Sequence, residues 1–102
     1  MKGLSLITHC ALFTFNEGTK DEEIEDLMSA LETLKDDIPE IQSFRAGKGS
    51  DLASTTCDFA VVAEFADLDA YKIYAKHAAH IKVIENKLKP ILATRTAIQF
   101  ES

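Results

Sequence analysis

Basic residues are scarce in this chain: eleven lysines and arginines stand against seventeen acidic residues, for a net charge of −6. They are scattered and form no basic stripe, which argues against a nucleic-acid partner. Long hydrophobic runs are also missing. No stretch reaches the length of a membrane span, so no membrane partner is expected. The amino-terminal "MKGLSLITHCALFTF" imitates a signal peptide, with a lysine ahead of apolar residues. Ser5, Thr8 and His9 interrupt it and no small-residue cleavage site follows, so it reads as a mature strand and the protein as cytoplasmic. Cysteine is limited to Cys10 and Cys57, which make neither a secreted disulfide framework nor a zinc motif. Both read as small buried apolar side chains. A redox pair would need neighbouring strands with suitable Cβ geometry. Proline occurs twice, at Pro39 and Pro90, and each marks a helix end.

What is present fits one globular domain over residues 1–102, with 46% hydrophobic residues and a thin core. A first strand is expected over Leu4 to Phe15. Ile7, Ala11, Phe13 and Phe15 share one face with His9; Leu4, Leu6, Cys10 and Leu12 share the other. Both faces are largely apolar, so both need cover. Thr19, with Glu22 three residues on, has capping-box spacing. Ile24, Leu27, Met28, Leu31 and Leu34 then recur as the core stripe of an amphipathic helix ending near Ile38.

A shorter strand follows with Ile41 and Phe44, and Gly47 and Gly49 open a polar loop through Thr56. The Gly-Lys-Gly is no phosphate loop, because no Lys-Ser/Thr pair or helix follows at the required spacing. In the third strand Phe59, Val61, Ala63 and Phe65 alternate with Ala60, Val62 and Glu64. A helix starts near Asp67 or Asp69 and carries Leu68, Tyr71 and Tyr74. A further helical stretch over 81–89 carries Ile81, Ile84 and Leu88, and Pro90 ends it. The last strand sets Leu92, Thr94, Thr96, Ile98 and Phe100 on one side.

The order is βαββαβ. The expected class is α+β and ferredoxin-like: a four-stranded antiparallel sheet with both helices on one face. The first and third strands, apolar on both faces, lie at its centre. The simplest cover for the open face is a second copy of the sheet, giving a two-fold homodimer through the sheet face, a dimeric α/β barrel.

Chemistry centres on three histidines. His9 reads either as a core-strand histidine with a hydrogen-bond partner or as a pocket residue. His77 reads as a surface or structural residue. His80, with an ordinary pKa near neutrality, permits acid/base work. Tyr74 and His80 are six residues apart, about 600° of rotation, and face apart on an unbroken helix. "AKHAAH" demands no break, since Ala78 and Ala79 are good helix formers. His77 and His80 also have a usable metal-ligand spacing, with His9 as a third candidate. No carboxylate or cysteine joins them at ligand spacing, so no metal or other cofactor is expected. His9 and Cys10 point to opposite strand faces, which disfavours a Cys–His nucleophile.

The run from "LITHCALFTFNEG" through "IPEIQSFRAGKGSD" to "FADLDAYKIYAKHAAH" resembles the stress-responsive A/B barrel family of dimeric α/β barrel proteins. The most specific elements are His9, the Tyr74–His77–His80 run, the Ile38 to Gly47 segment and the entry to the second helix. The resemblance implies a homodimer with a barrel-like core. A plant branch of this family is a polyketide cyclase. Similarity to it implies His80 as general acid/base, Tyr74 orienting substrate, His9 lining the same pocket, and a loop between Tyr74 and His80. Phe59 stands where that branch carries another pocket histidine, a departure that bears on substrate and chemistry.

Two functions follow as expectations. One is binding of a small apolar ligand in a pocket of His9, Phe59, Tyr74 and His80. The other is a cofactor-independent cyclase or isomerase using His80 and Tyr74. A monooxygenase-like activity rests on fold analogy alone.

Overall fold

The computed structural model describes residues 6–50 and 56–102. In order, its elements are β1 (Ile7–Phe15), α1 (Asp21–Asp37), β2 (Ile41–Lys48), β3 (Phe59–Phe65), α2 (Leu68–Lys76), α3 (Ala78–Val83), a π-helical turn (Ile84–Leu88) and β4 (Leu92–Glu101). The sheet order is β2-β3-β1-β4, antiparallel throughout. β1 and β3 are central, as the two-sided apolar pattern requires. Leu4 and the loop positions 51–55 lie outside the described residues.

The pleat sorts the side chains. Ala11 and Phe13 of β1 and Phe59, Val61, Ala63 and Phe65 of β3 are buried with Leu27, Leu31 and Leu34 of α1, which matches period two in strands and the helical stripe in α1. The even positions face the open side. There Cys10 lies opposite Val62 and Ile98, and Thr8 opposite Phe100. Ile98 keeps 60% of its surface exposed and Phe100 47%. Among the described residues, no helix is long and apolar enough to cross a membrane.

Several local expectations are corrected. The cap of α1 is Lys20, not Thr19, and the carboxylate of Glu23, not Glu22, accepts from the Lys20 N–H at 3.0 Å. The Thr19 hydroxyl donates to the Asn16 carbonyl at 2.6 Å instead, which ties it to the preceding turn. β2 runs through Gly47, which pairs with Ala60 of β3; the ladder outweighs the glycine's freedom there. Asp67, not Asp69, caps α2 by accepting from the Ala70 N–H at 2.8 Å. Leu68 and Ile81, both in the helical pattern, are exposed.

Leu92 does not join the open face. A bulge between Thr14 and Phe15 brings it opposite Phe15, and such an inserted residue reverses the facing of everything beyond it. Cys10 and Cys57 are both free and half-buried, not fully buried. Cys57 leads into β3 beside Asp58, whose N–H reaches the Phe13 carbonyl at 2.8 Å. Cys10 lies three residues from Phe13 along β1, roughly 10 Å at strand rise, beyond disulfide reach.

Phe65 is fully buried against Tyr71 and Tyr74, with ring centroids at 5.5 and 4.9 Å. Phe65→Ala should cost about 3–5 kcal/mol of stability, measured by urea denaturation at fixed protein concentration. A loss under about 1 kcal/mol would contradict this packing.

Candidate functional site

The site begins with a broken helix. At His77 the backbone turns extended, with φ −63° and ψ 136°. In a continuous helix the Ala79 N–H would donate to the Ala75 carbonyl. Here both groups find histidine side chains. The Ala79 N–H donates to His77 Nδ1 at 3.0 Å, so His77 caps α3. His80 Nδ1 lies 3.2 Å from the Ala75 carbonyl. A carbonyl only accepts, so His80 donates through Nδ1 and Nε2 is its bare nitrogen. Two imidazoles thus take up the two groups of that lost backbone bond.

The break re-aims α3. Tyr74 and His80, which face apart on an ideal helix, meet with ring centroids at 4.2 Å and 35° between planes. β1 supplies the third group. His9 lies on the helix-facing side, 5.4 Å from the Tyr71 ring and 6.1 Å from Tyr74. It is 4% exposed. The Gln99 side-chain amide of β4 donates to His9 Nδ1 at 2.8 Å, which leaves the proton of neutral His9 on Nε2. His9 is therefore both a partnered core histidine and a lining residue.

These groups border a cavity of about 330 Å³. His9, Tyr74, His80 and Arg95 supply most of its polarity, and Ala11, Phe13, Leu31, Val61, Ile84, Leu88 and Leu92 its apolar wall. The volume falls at the small end of ligand pockets, roughly 300–1,000 Å³. Ala11 faces Ala97 across β1 and β4, so small side chains leave room at the floor. Lys89 and Arg95 are exposed and mark the mouth.

Phe59 is not part of this lining. It is buried further along β3, stacked on Phe13 at 6.2 Å and tilted against Phe15 at 5.8 Å. Those rings fill the space between, and Val61 is the β3 residue that reaches the cavity. Of the four expected pocket residues, His9, Tyr74 and His80 line this cavity and Phe59 does not. Among the described residues, no group of three or more His, Cys, Asp or Glu side chains is placed to hold a metal; His77 is turned to its cap.

Electrostatics disfavour the charged forms of His9 and His80. Burial, then the Arg95 charge and His80, lowers the His9 pKa to about 4. Burial also lowers that of His80, with Arg95 and His77 adding and the bond to Ala75 opposing. Tyr74 is pushed up by burial and by Tyr71, against Arg95. Arg95 is the residue missed from sequence. Its signal lies in β4, where Arg95 and Gln99 alternate with the threonine and apolar positions of the strand's other side.

The architecture defines a ferredoxin-like α+β domain with a half-open cavity between sheet and helices. The chain belongs to the Stress Responsive A/B Barrel Domain family, whose model matches residues 7–102. A solved structure from Thermobifida fusca, a dimeric ferredoxin-like protein of unknown function, is 34% identical with a TM-score of 0.86, covering 94% of this chain and 90% of that one. A dimeric protein of unknown function from Bacteroides fragilis is 26% identical with a TM-score of 0.81, over 95% and 96% of the two chains. A hydroxynitrile lyase from Passiflora edulis, at 10% identity, shares the fold with a TM-score of 0.85 over 98% and 95%. A search of curated proteins returns no significant match.

The lowered pKa of His9 has a sign. Above pH 6.5, the ordinary value, His9 is neutral folded or unfolded. Below it the unfolded chain takes up a proton that the folded one refuses down to about pH 4, so stability falls as pH drops across that window. His9→Asn should flatten this fall in denaturation curves taken across the window. An unchanged slope would show that His9 carries no such shift.

Proposed function

We propose that the protein is a homodimer, paired through its open sheet face, that holds a small and mostly apolar molecule in the cavity beside His9, Tyr74 and His80. The observation that supports it is the convergence of three polar rings, from two separate parts of the chain, on one apolar cavity. Ile98 and Phe100 are about half exposed, so burying what remains would stabilise pairing by roughly 1–1.5 kcal/mol each. The Thermobifida fusca relative is dimeric, which supports a dimer here.

A second reading has its own support in the state of His80. A neutral imidazole with Nδ1–H tied to Ala75 carries its lone pair on Nε2 and is able to act as a general base at neutral pH. In this reading Nε2 removes a proton next to a carbonyl, and the Tyr74 hydroxyl donates to the developing oxyanion. Burial of Tyr74 keeps that hydroxyl protonated. The chemistry is that of a cyclase or isomerase and needs no cofactor.

Sedimentation at micromolar concentration should give a dimer, and Ile98→Glu should shift it toward monomer; a wild-type monomer would end the pairing claim. Deuterium exchange into cyclohexanone reads the catalytic version. The protein should accelerate exchange next to the carbonyl, and His80→Ala should lose roughly 100-fold or more of that acceleration. A rate unaffected by His80→Ala would end the general-base role and leave binding alone.

A further inference from the structure

We infer that the molecule held in the cavity is a monoanion, a carboxylate on a compact apolar body, and that Arg95 binds its carboxylate at the mouth. This rests on the small-molecule reading above and specifies its ligand class. The cavity holds two cations in its lining, Lys89 and Arg95. They differ in occupation. Lys89 Nζ is engaged by Glu85 Oε1 at 3.0 Å. Among the described residues, no carboxylate lies within ion-pair distance of Arg95. Acids are not in short supply, since seventeen are present in the chain; none of those described is brought to this guanidinium.

Position strengthens the point. Arg95 lies opposite Phe13 in the register of β1 and β4, so its stem runs along the cavity's apolar wall while its head sits at the exposed mouth. Its charge acts on His9, Tyr74 and His80 alike. A carboxylate there meets a planar fork of N–H donors suited to bidentate binding. The Nε2–H of His9, a further lining residue, adds a neutral donor. One cation without an ion-pair partner, beside neutral polar groups and a largely apolar wall, matches a single negative charge rather than a phosphate dianion.

The test uses a matched pair of probes, phenylacetate and its neutral amide, phenylacetamide, titrated against the intact protein with NMR shifts read at Tyr74 and His80. Phenylacetate should bind about tenfold tighter, as a charge-assisted hydrogen bond in place of a neutral one implies. Arg95→Gln should bring the two probes to parity, and Arg95→Lys should keep part of the preference. Arg95 is exposed, so both variants should fold, which circular dichroism verifies. Equal affinities in the wild type, or a preference that survives Arg95→Gln, would overturn the anion inference while leaving the ligand reading standing. If neither probe shifts the site, both readings fall together.

Discussion

The site depends on one backbone event, the extended turn at His77 that divides α2 from α3. Breaking a helix in a partly buried layer strands N–H and carbonyl groups that must find partners. This chain partners two of them with imidazoles: His77 takes the Ala79 N–H and His80 takes the Ala75 carbonyl. The same bond that satisfies the break fixes the His80 ring, sets its tautomer and holds it against Tyr74. Local satisfaction and site assembly are one interaction. His77, unpromising as a ligand or catalyst, matters through the turn it caps.

Around that turn the structure builds a largely apolar cavity whose lining, among the described residues, holds one cation without an ion-pair partner, Arg95. The apolar lining desolvates His9 and His80, and Arg95 adds to the effect, so both imidazoles favour the neutral state in which each has one donor and one acceptor nitrogen. The two rings differ in which nitrogen carries the proton. His9 is held by Gln99 through Nδ1 and keeps its donor on Nε2, while His80 gives Nδ1–H to the backbone and keeps its acceptor on Nε2. One cavity therefore offers a donor, an acceptor, a protonated phenol and a guanidinium. That set is suited to a molecule with a carbonyl or carboxylate on an apolar body.

Much of the fold was legible because it follows from pattern. Alternation in β1 and β3, the stripe of α1 and the two prolines give element order and sheet centre directly. Capping was less legible: Thr19 was expected where Lys20 caps α1, and sequence left Asp67 and Asp69 open where Asp67 caps α2. The bulge at Thr14/Phe15 carries no residue signature and sends Leu92 to the other face. For the site, His9 and His80 stood out as rare polar groups in apolar surroundings. Their convergence did not, because Ala78 and Ala79 favour a continuous helix and only the family resemblance implied a break. Phe59 was placed with the site by that resemblance, and here aromatic packing with Phe13 and Phe15 takes it elsewhere. Arg95 has only its alternation with the apolar and threonine positions of β4 to signal it in sequence, and so reads as the solvated side of an edge strand.

The most direct test of this account is nitrogen NMR of the imidazole rings at neutral pH, which reads charge and tautomer residue by residue. The account predicts that His9 and His80 are both neutral, with His80 protonated on Nδ1 and His9 on Nε2. A His80 that carries its proton on Nε2, or that is charged at neutral pH, would contradict it. The bond to Ala75 would then not hold the ring, and the helix break would not assemble the site.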